Sequence, residues 1–575
     1  MYSKHTALRV TIYIIYMSQT STEKFQSKGG FILASIGAAV GLGNALRFPG
    51  LCAKYGGGAF LLIYAIALVA LGLPLLNAEI ALGRKIKAGA PKCMRSLFNG
   101  TRAKVAERFG WASCINSVIT AVIYAGLAGW IIATVATVIP LCLNAPALTD
   151  TEISGYFFNS VLSARNDGVI DGFSFLVAGC ILLAWVLMFF CLKGGAKSLS
   201  KAAKFTVAVP ITLLTALAVR GLFYENAGHA LAALFVPDFS CLASPELWLT
   251  ALGQVFFSLS IVVGIMPAYG SYLPEGTNIF RCSLVIAAAD FLVSVLASVV
   301  LFTTLYGCGL QSEIGASGMI TAFAVYPVAI SKLFGGNTAL NAAAGALFYS
   351  SLAMMAIQSA VSMLEAFLNP FSEHSGKKKS RLALYVCLIA APVTMIFATT
   401  AAPTVVDISD RFVNFYNVLI LGIAECILIG ASKKTGELAD EINRFASRCH
   451  SERSEKSRTK KILRYTQNDG NVFKNDKKER VRCDRRVVTL KMPKRAFGVS
   501  VKFLSPAVLI SLTLYEVIRL VANGLGYPLW LQLAFGWGLS FAVFAIPFLL
   551  TREKSLNFGK IRSIGKNDKN LPPAI

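Results

Sequence analysis

The chain has 575 residues, 55% of them hydrophobic and only 15% charged, with a mean hydropathy of +0.61. Soluble chains average about 45–50% apolar and about 25% charged residues, so a soluble enzyme, a fibrous protein and a secreted disulfide scaffold are excluded. The formal charge of +25 speaks against nucleic acid as a partner because of where it sits: residues 447–495 hold 17 Lys/Arg against 6 Asp/Glu, and most other basic residues fall in short loops between apolar runs.

Ahead of the first apolar run, residues 1–29 read as a cytoplasmic tail. The apolar stretch at 10–17 lacks a small-residue cleavage site and an ordinary span follows it, so it is not a signal peptide. Met17 opens a more ordinary start, and the first 16 residues are expected to be dispensable. Twelve spans are predicted, at 30–52, 58–83, 111–140, 172–192, 203–223, 247–272, 282–309, 339–368, 381–401, 411–431, 500–523 and 528–550. Each can cross a hydrocarbon core of about 30 Å. Helices are expected, because lipid leaves open backbone N–H and C=O groups unsatisfied. The predicted fold class is an all-α membrane protein of twelve transmembrane helices.

Charge sets the predicted orientation. The loop after the second span carries Arg84, Lys85, Lys87, Lys92, Arg95, Arg102, Lys104 and Arg108. Those after the fourth and eighth spans carry Lys193, Lys197, Lys201 and Lys204, and Lys377, Lys378, Lys379 and Arg381. The alternate loops, 141–171 and 224–246, carry mostly acids. This asymmetry puts both termini in the cytoplasm. The segment CHSERSEKSRTKKILRYTQNDG from Cys449 is polar, charged and aperiodic, and reads as a disordered insertion into a cytoplasmic loop. The 13 cysteines show no metal-type spacing and read as small buried apolar residues; Cys142 and Cys241, both in outside segments, are the pair open to a disulfide. No nucleophile–base pair or metal cluster suggests an enzyme.

Two spans are interrupted. The first, GGFILASIGAAVGLGNALRFPG, contains Gly37, Gly41, Gly43 and Pro49, with Asn44 at membrane depth and Arg47 one turn on. Close helix packing by small residues explains glycines. A polar Asn and a buried Glu79 in the second span point instead to function. The sixth, ALGQVFFSLSIVVGIMPAYGSY, is broken by Gln254, Ser258, Ser260, Gly264 and Pro267. Interrupted helices at matching places in two halves mark an inverted-repeat transporter with its site at mid-membrane. The expected organisation is a first five-helix repeat at 30–223, a second, inverted, at 247–431, a cytoplasmic loop with its insertion at 432–499, two further helices at 500–550 and a cytoplasmic tail at 551–575.

GAAVGLGNALRFP, YGGGAF at 55–60, GLPLLNAEIALGR at 72–84, GQVFFSLS at 253–260 and EINRF at 441–445 together resemble the neurotransmitter:sodium symporter family, in its bacterial branch and with the leucine-transporter fold. The resemblance spans roughly 25–445 and 491–550. It implies sodium-coupled import of an amino acid by alternating access, with one or two sodium ions, at the bacterial inner membrane. The alternative on the same scaffold is an amino-acid-binding sensor that transports poorly or not at all. The oligomeric state is left open.

The resemblance also implies roles for residues. The substrate carboxylate would meet the amides of Leu42 and Gly43 and the Tyr124 hydroxyl, and the amine carbonyls near Ala39, Phe257 and Ser260. Thr120, Phe257, Val263 and Met363 would line a mainly apolar side-chain pocket, with Ser359 beside it. The first sodium would lie among the Ala39 carbonyl, Asn44, Ser258, Asp290 and the substrate carboxylate. The second would lie among carbonyls of Gly37, Val40 and Met355 and the side chains of Gln358 and Ser359. Arg47 and Asp410 would gate the outer side over Tyr124 and Phe257. Glu373 would gate the inner side with an N-terminal base. Glu79 would buttress the broken helix, and Glu425 is a candidate proton site.

Departures from the family pattern mark this chain. Gln358 stands where many relatives carry Thr, Val262 and Val263 where they keep Gly and a larger apolar residue, and Thr22 where the gating Arg would be, leaving Lys24 or Lys28. Gly41 stands where amine transporters carry an Asp, so the substrate should bring its own carboxylate. Tyr64, Gln254, Ser258 and Ser294 match a chloride site, but Asp290 lies one turn before Ser294 on the same helix face. That fixed carboxylate already offsets a sodium ion, so no chloride requirement is expected.

Overall fold

The computed structural model describes residues 25, 27–165, 168–274, 276–313, 315, 317–444, 491–524 and 526–551. Among them are ten continuous helices long and apolar enough to cross a membrane. Two further hydrophobic segments are helices in two pieces. The first is α1 (Lys28–Ala39) and α2 (Gly43–Lys54), bent by 51°. The sixth is α8 (Pro245–Ser258) and α9 (Ile265–Ser271), after α3 (Gly58–Ile86), α4 (Gly100–Ala147), α5 (Phe175–Leu192), α6 (Gly195–Gly221) and the short α7 (Ala227–Phe235). Then come α10 (Ile279–Gly307), the shorter α11 (Gly318–Ser331), α12 (Thr338–Ser375), α13 (Lys379–Ala398), α14 (Ala402–Ala431), α15 (Lys494–Ala522) and α16 (Leu529–Leu550). Counted by length and apolarity, the described residues give ten spans, or eleven with the bent first pair, against the twelve predicted; the sixth predicted span is the broken α8–α9 pair, whose two pieces are short.

Several helices run well past the hydropathy boundaries. α4 starts at Gly100 rather than 111, α14 at Ala402 rather than 411, and α12 runs to Ser375 rather than 368. Hydropathy marks only the lipid-immersed length, whereas backbone hydrogen bonding continues through polar turns until a cap stops it. Asn337 caps the start of α12 by accepting from the Leu340 amide at 3.1 Å, and Gly376 ends it at φ 69°. The long α4 and α12 pack together more extensively than any other helix pair. Side chains such as Phe175, Val521 and Phe541 lie at the opposite extreme, more than 70% exposed, as lipid-facing residues should be.

Both breaks have a cause in side chains. After α1, Val40 turns extended (φ −78°, ψ 105°), and the Gly41 amide donates to Asn44 Oδ1 at 2.9 Å instead of to a backbone carbonyl. A π-turn over Gly43–Arg47 follows, a form common at functional sites. After α8, Ser260 (φ 50°), Val262 (φ 75°) and Gly264 (φ 77°) all adopt left-handed backbone. For β-branched Val262 that is a strained state costing about 1–3 kcal/mol. Two contacts hold the chain in this conformation. Glu79 Oε1 accepts from the Val262 amide at 2.5 Å, and the Ser260 hydroxyl donates to the Ala38 carbonyl at 2.8 Å. The second contact ties one break to the other. α9 in turn lies close against α3: a β-carbon on Gly83 would come within 2.1 Å of the Pro267 carbonyl oxygen, and one on Gly270 within 2.6 Å of that of Ile80.

Cys142 and Cys241 are both unpaired thiols, so no disulfide joins them.

Candidate functional site

The first break places Asn44 opposite α10. Its Nδ2 lies 2.7 Å from Asp290 Oδ1, 2.8 Å from Ser294 Oγ and 3.1 Å from Ser258 Oγ. Ser258, at the end of α8, lies with its hydroxyl 2.8 and 2.7 Å from the two Asp290 oxygens, and the Tyr64 hydroxyl donates to Oδ2 at 3.1 Å. Asp290 is fully buried, and among the described residues no cationic side chain reaches it. A buried carboxylate surrounded only by neutral donors lacks the opposite charge that burial calls for. The Asp290 carboxylate and the Ser258 hydroxyl supply hard oxygens of the kind an alkali cation takes, while Asn44 turns Nδ2 to them and its Oδ1 to the Gly41 amide. The three side chains predicted for the first sodium thus meet at one point.

That point adjoins a cavity of about 30 Å³. Ala39, Gly43, Thr120, Tyr124, Phe257, Ser260, Val263, Ser359 and Met363 line it, together with Asn44 and Ser258. Leu42, expected to contribute its amide, does not line it. The Ser359 hydroxyl is buried without a partner, and the Tyr124 hydroxyl makes no hydrogen bond among the described residues. The Phe257 ring lies against the backbone of Gly43, where a β-carbon would be 2.5 Å from Cε1.

Six lining residues were not foreseen: Ala38, Ser117, Phe256, Ile261, Asn414 and Val418. Ser117 on α4 donates to the Val263 carbonyl at 2.5 Å, anchoring the unwound segment. Asn414 accepts from Thr120 at 2.7 Å and donates to Asp410 at 2.8 Å. An Asn inside the predicted tenth span was the available signal, but spacing alone gave it no partner.

In the second predicted sodium set, Gln358 packs its stem against Gly37, within 2.8 Å of where a β-carbon there would stand. Gln358 Oε1 accepts from Thr206 Oγ1 on α6 at 3.0 Å, and Gly37, Val40, Met355 and Gln358 do not line the cavity.

The gates require correction. Arg47 and Asp410 form no ion pair: the guanidinium lies over the Phe257 ring at 5.4 Å, and Asp410 is engaged by Asn414, four residues on along its own helix. Glu373 pairs with Lys92 at 2.7 Å on the basic loop. Thr22 and Lys24 lie outside the described residues. A different acid, on α12, is the one paired at the start of α13. Glu365, fully buried, takes Lys379 Nζ at 2.7 Å and the Tyr272 hydroxyl at 2.6 Å, and Phe25 packs edge-on against Tyr272 and Tyr269. Arg84 adds a second tie, to Glu441 Oε1 at 2.8 Å and the Thr277 carbonyl at 2.6 Å. Glu425 lies beside Glu79, behind the second break.

Known proteins carry the same pattern. The profile described as the sodium:neurotransmitter symporter family matches residues 22–146 and 144–451. An uncharacterised sodium-dependent transporter of Methanocaldococcus jannaschii is 31% identical over 442 residues, 75% of this chain and 86% of its own. The sodium-dependent serotonin transporter of Drosophila melanogaster is 28% identical, covering 72% of this chain and 69% of its own, and the mouse sodium-dependent neutral amino acid transporter B(0)AT3 is 31% identical over 49% and 48%. The crystal structure of MhsT with L-phenylalanine aligns at a TM-score of 0.66 and 22% identity, over 86% of this chain and 99% of MhsT. These relatives are transporters, not enzymes. Two broken helices meeting at a buried acid, in a bundle of this fold and with a profile match across most of its length, make this chain a member of the sodium:neurotransmitter symporter family.

Proposed function

We propose that the protein imports a neutral, mainly hydrophobic amino acid together with sodium, by alternating access across a bacterial inner membrane with both termini in the cytoplasm. The observation that carries this reading is the fully buried Asp290 without a cationic partner, held by Asn44 and Ser258 at the wall of the cavity. Sodium binds there among side-chain oxygens, and the substrate carboxylate completes its shell, so each ligand raises the affinity for the other. The substrate amine meets carbonyls at the second break. Tyr124 and the Gly43 amide hold the carboxylate, and Thr120, Val263 and Met363 contact the side chain.

Gly41 supports a substrate that carries its own carboxylate. A β-carbon there would lie 2.6 Å from Ser359 Oγ, so an Asp at this position has no room without moving Ser359. MhsT, crystallised with L-phenylalanine, and the mouse neutral amino acid transporter fit the same class. The two halves, 30–223 and 247–431, act as inverted repeats, each opening with its broken helix. The inner side is closed by the Glu365–Lys379–Tyr272 cluster under Phe25, and the outer side by Phe257 with Arg47 stacked on it. Chloride is not required, because the Tyr64 and Ser258 hydroxyls are already directed at Asp290.

The test is uptake of labelled L-leucine and L-phenylalanine into proteoliposomes under an inward sodium gradient. Wild type should accumulate at least one of them. Asn44→Ala and Ser258→Ala should lose sodium and substrate affinity together. Unchanged sodium dependence in either variant would refute the shared site, and uptake of a decarboxylated amine instead would refute the substrate class.

A further inference from the structure

The junction of α1 with α12 is where the family resemblance expects a second sodium ion, and the side chains there are turned away from that task. Gln358 is buried on α12, 1% exposed. Its stem runs along Gly37 of α1: a β-carbon on Gly37 would come within 2.8 Å of Gln358 Cγ and 3.3 Å of Cδ. Val207 of α6 closes on the same glycine, at 2.9 Å from that position. A Thr at 358 would end in a hydroxyl at its γ position. Gln358 has a methylene there, which has no lone pair to offer an ion. Its carboxamide reaches on to α6, where Oε1 takes the Thr206 hydroxyl at 3.0 Å. Nε2 remains buried with no acceptor, so the free end of the amide is a donor, which repels a cation.

Ser359, the other side-chain ligand expected, is also directed elsewhere. Its hydroxyl lies 2.6 Å from where a β-carbon on Gly41 would stand, and it lines the substrate cavity, whereas Gly37, Val40, Met355 and Gln358 do not.

We propose that this transporter couples one sodium ion, held at Asn44, Ser258 and Asp290, to each substrate molecule, and that the Gln358 side chain stands in place of the second ion. The inference deepens the symport reading and rests on it. In this arrangement the amide does the structural work of the missing cation: it fills the junction and joins α12 to α6 across the face of α1. The limiting accumulation of substrate then follows the first power of the sodium activity ratio rather than its square.

The experiment counts ions. Equilibrium binding of radioactive sodium to the purified full-length protein, with and without saturating L-leucine or L-phenylalanine, should give one ion per chain. The sodium dependence of uptake should show a Hill coefficient near one. Gln358→Thr should raise the count to two and steepen the uptake curve; if that variant does not fold, Gln358→Ser serves the same purpose, and the wild-type count stands by itself. Two ions on wild type would overturn the inference alone, and would mean that the amide is reversed with its oxygen towards α1. A folded Gln358→Thr that still binds one ion would overturn the assignment to Gln358. No sodium on wild type would overturn the first-site reading, and this inference with it.

Discussion

Asp290 gathers the polar groups around it onto one buried carboxylate. Tyr64, Ser258 and Asn44 all direct polar hydrogens at it, so three members of the neighbourhood that could serve an anion serve this carboxylate instead. Gln254, the remaining member of the chloride-type set besides Ser294, has both polar side-chain atoms buried without partners. Chloride beside the acid would meet like-charge repulsion of roughly 4 kcal/mol at about 4 Å and an effective dielectric of about 20. Replacing chloride by gluconate should therefore leave wild-type uptake unchanged. Asp290→Asn should either create chloride dependence or abolish transport. A second residue-scale case is Glu79, whose Oε1 accepts from the strained Val262 amide. Glu79→Ala leaves that buried donor unpaired and should cost about 1–3 kcal/mol. Glu79→Gln keeps an acceptor and should retain most of the stability. Thermal unfolding of both variants checks this; equal losses would show that charge, not hydrogen bonding, is what Val262 needs.

The cluster proposed to close the inner side is assembled by whole elements. The start of α13 brings Lys379 over Glu365 of α12, and Tyr272, just past α9, completes the cluster. Lys379 is 10% and Glu365 0% exposed at the side chain, so this pair sits out of water. Removing one partner of a buried pair costs about 3–5 kcal/mol, while replacing both is far cheaper. Lys379→Met should accordingly destabilise the protein strongly, and Glu365→Gln combined with it should recover much of the loss. A double-mutant cycle by thermal unfolding measures the coupling. Additive effects would place the two residues outside one latch. The same contacts explain why α9 matters beyond its seven residues: it is packed by glycine against α3 and closed by Tyr272 at its end.

At the scale of the whole molecule, the two ends that flank the basic segment after α14 are held together, the segment itself lying outside the described residues. Asn443 accepts from the Met492 amide at 2.9 Å and donates to the Met492 carbonyl at 3.0 Å. Two positions 49 apart in sequence are therefore held side by side. Arg84 fastens Glu441 to the bundle on one side of the junction, and Asn77 lies 3.9 Å from Met492 Sδ on the other. The segment 449–488 is polar and aperiodic, with too few apolar residues to drive packing. Deleting it and rejoining the ends should leave transport largely intact. A deletion variant that reaches the membrane yet fails to transport would assign the segment a working role.

Length, hydropathy and loop charge were enough to define an all-helical membrane bundle, because lipid permits few alternatives and twenty apolar residues in a row have few other uses. The glycines, Asn44 and Pro267 likewise marked both breaks, since a helix interior tolerates such residues poorly. The convergence of Asn44, Ser258 and Asp290 was implied by family resemblance and is present in the geometry. What the one-dimensional string could not decide was direction. Whether Asp410 turns to Arg47 or to Asn414, whether Glu373 meets an N-terminal base or Lys92, and that Glu365 finds Lys379 depend on rotamers and on how helices cross. The same holds for Gln358: its identity departs from the pattern in sequence, but only the approach of α6 and α1 turns its amide to Thr206. A polar side chain in a dry interior takes whichever partner packing brings within hydrogen-bond reach, and that choice belongs to the tertiary structure.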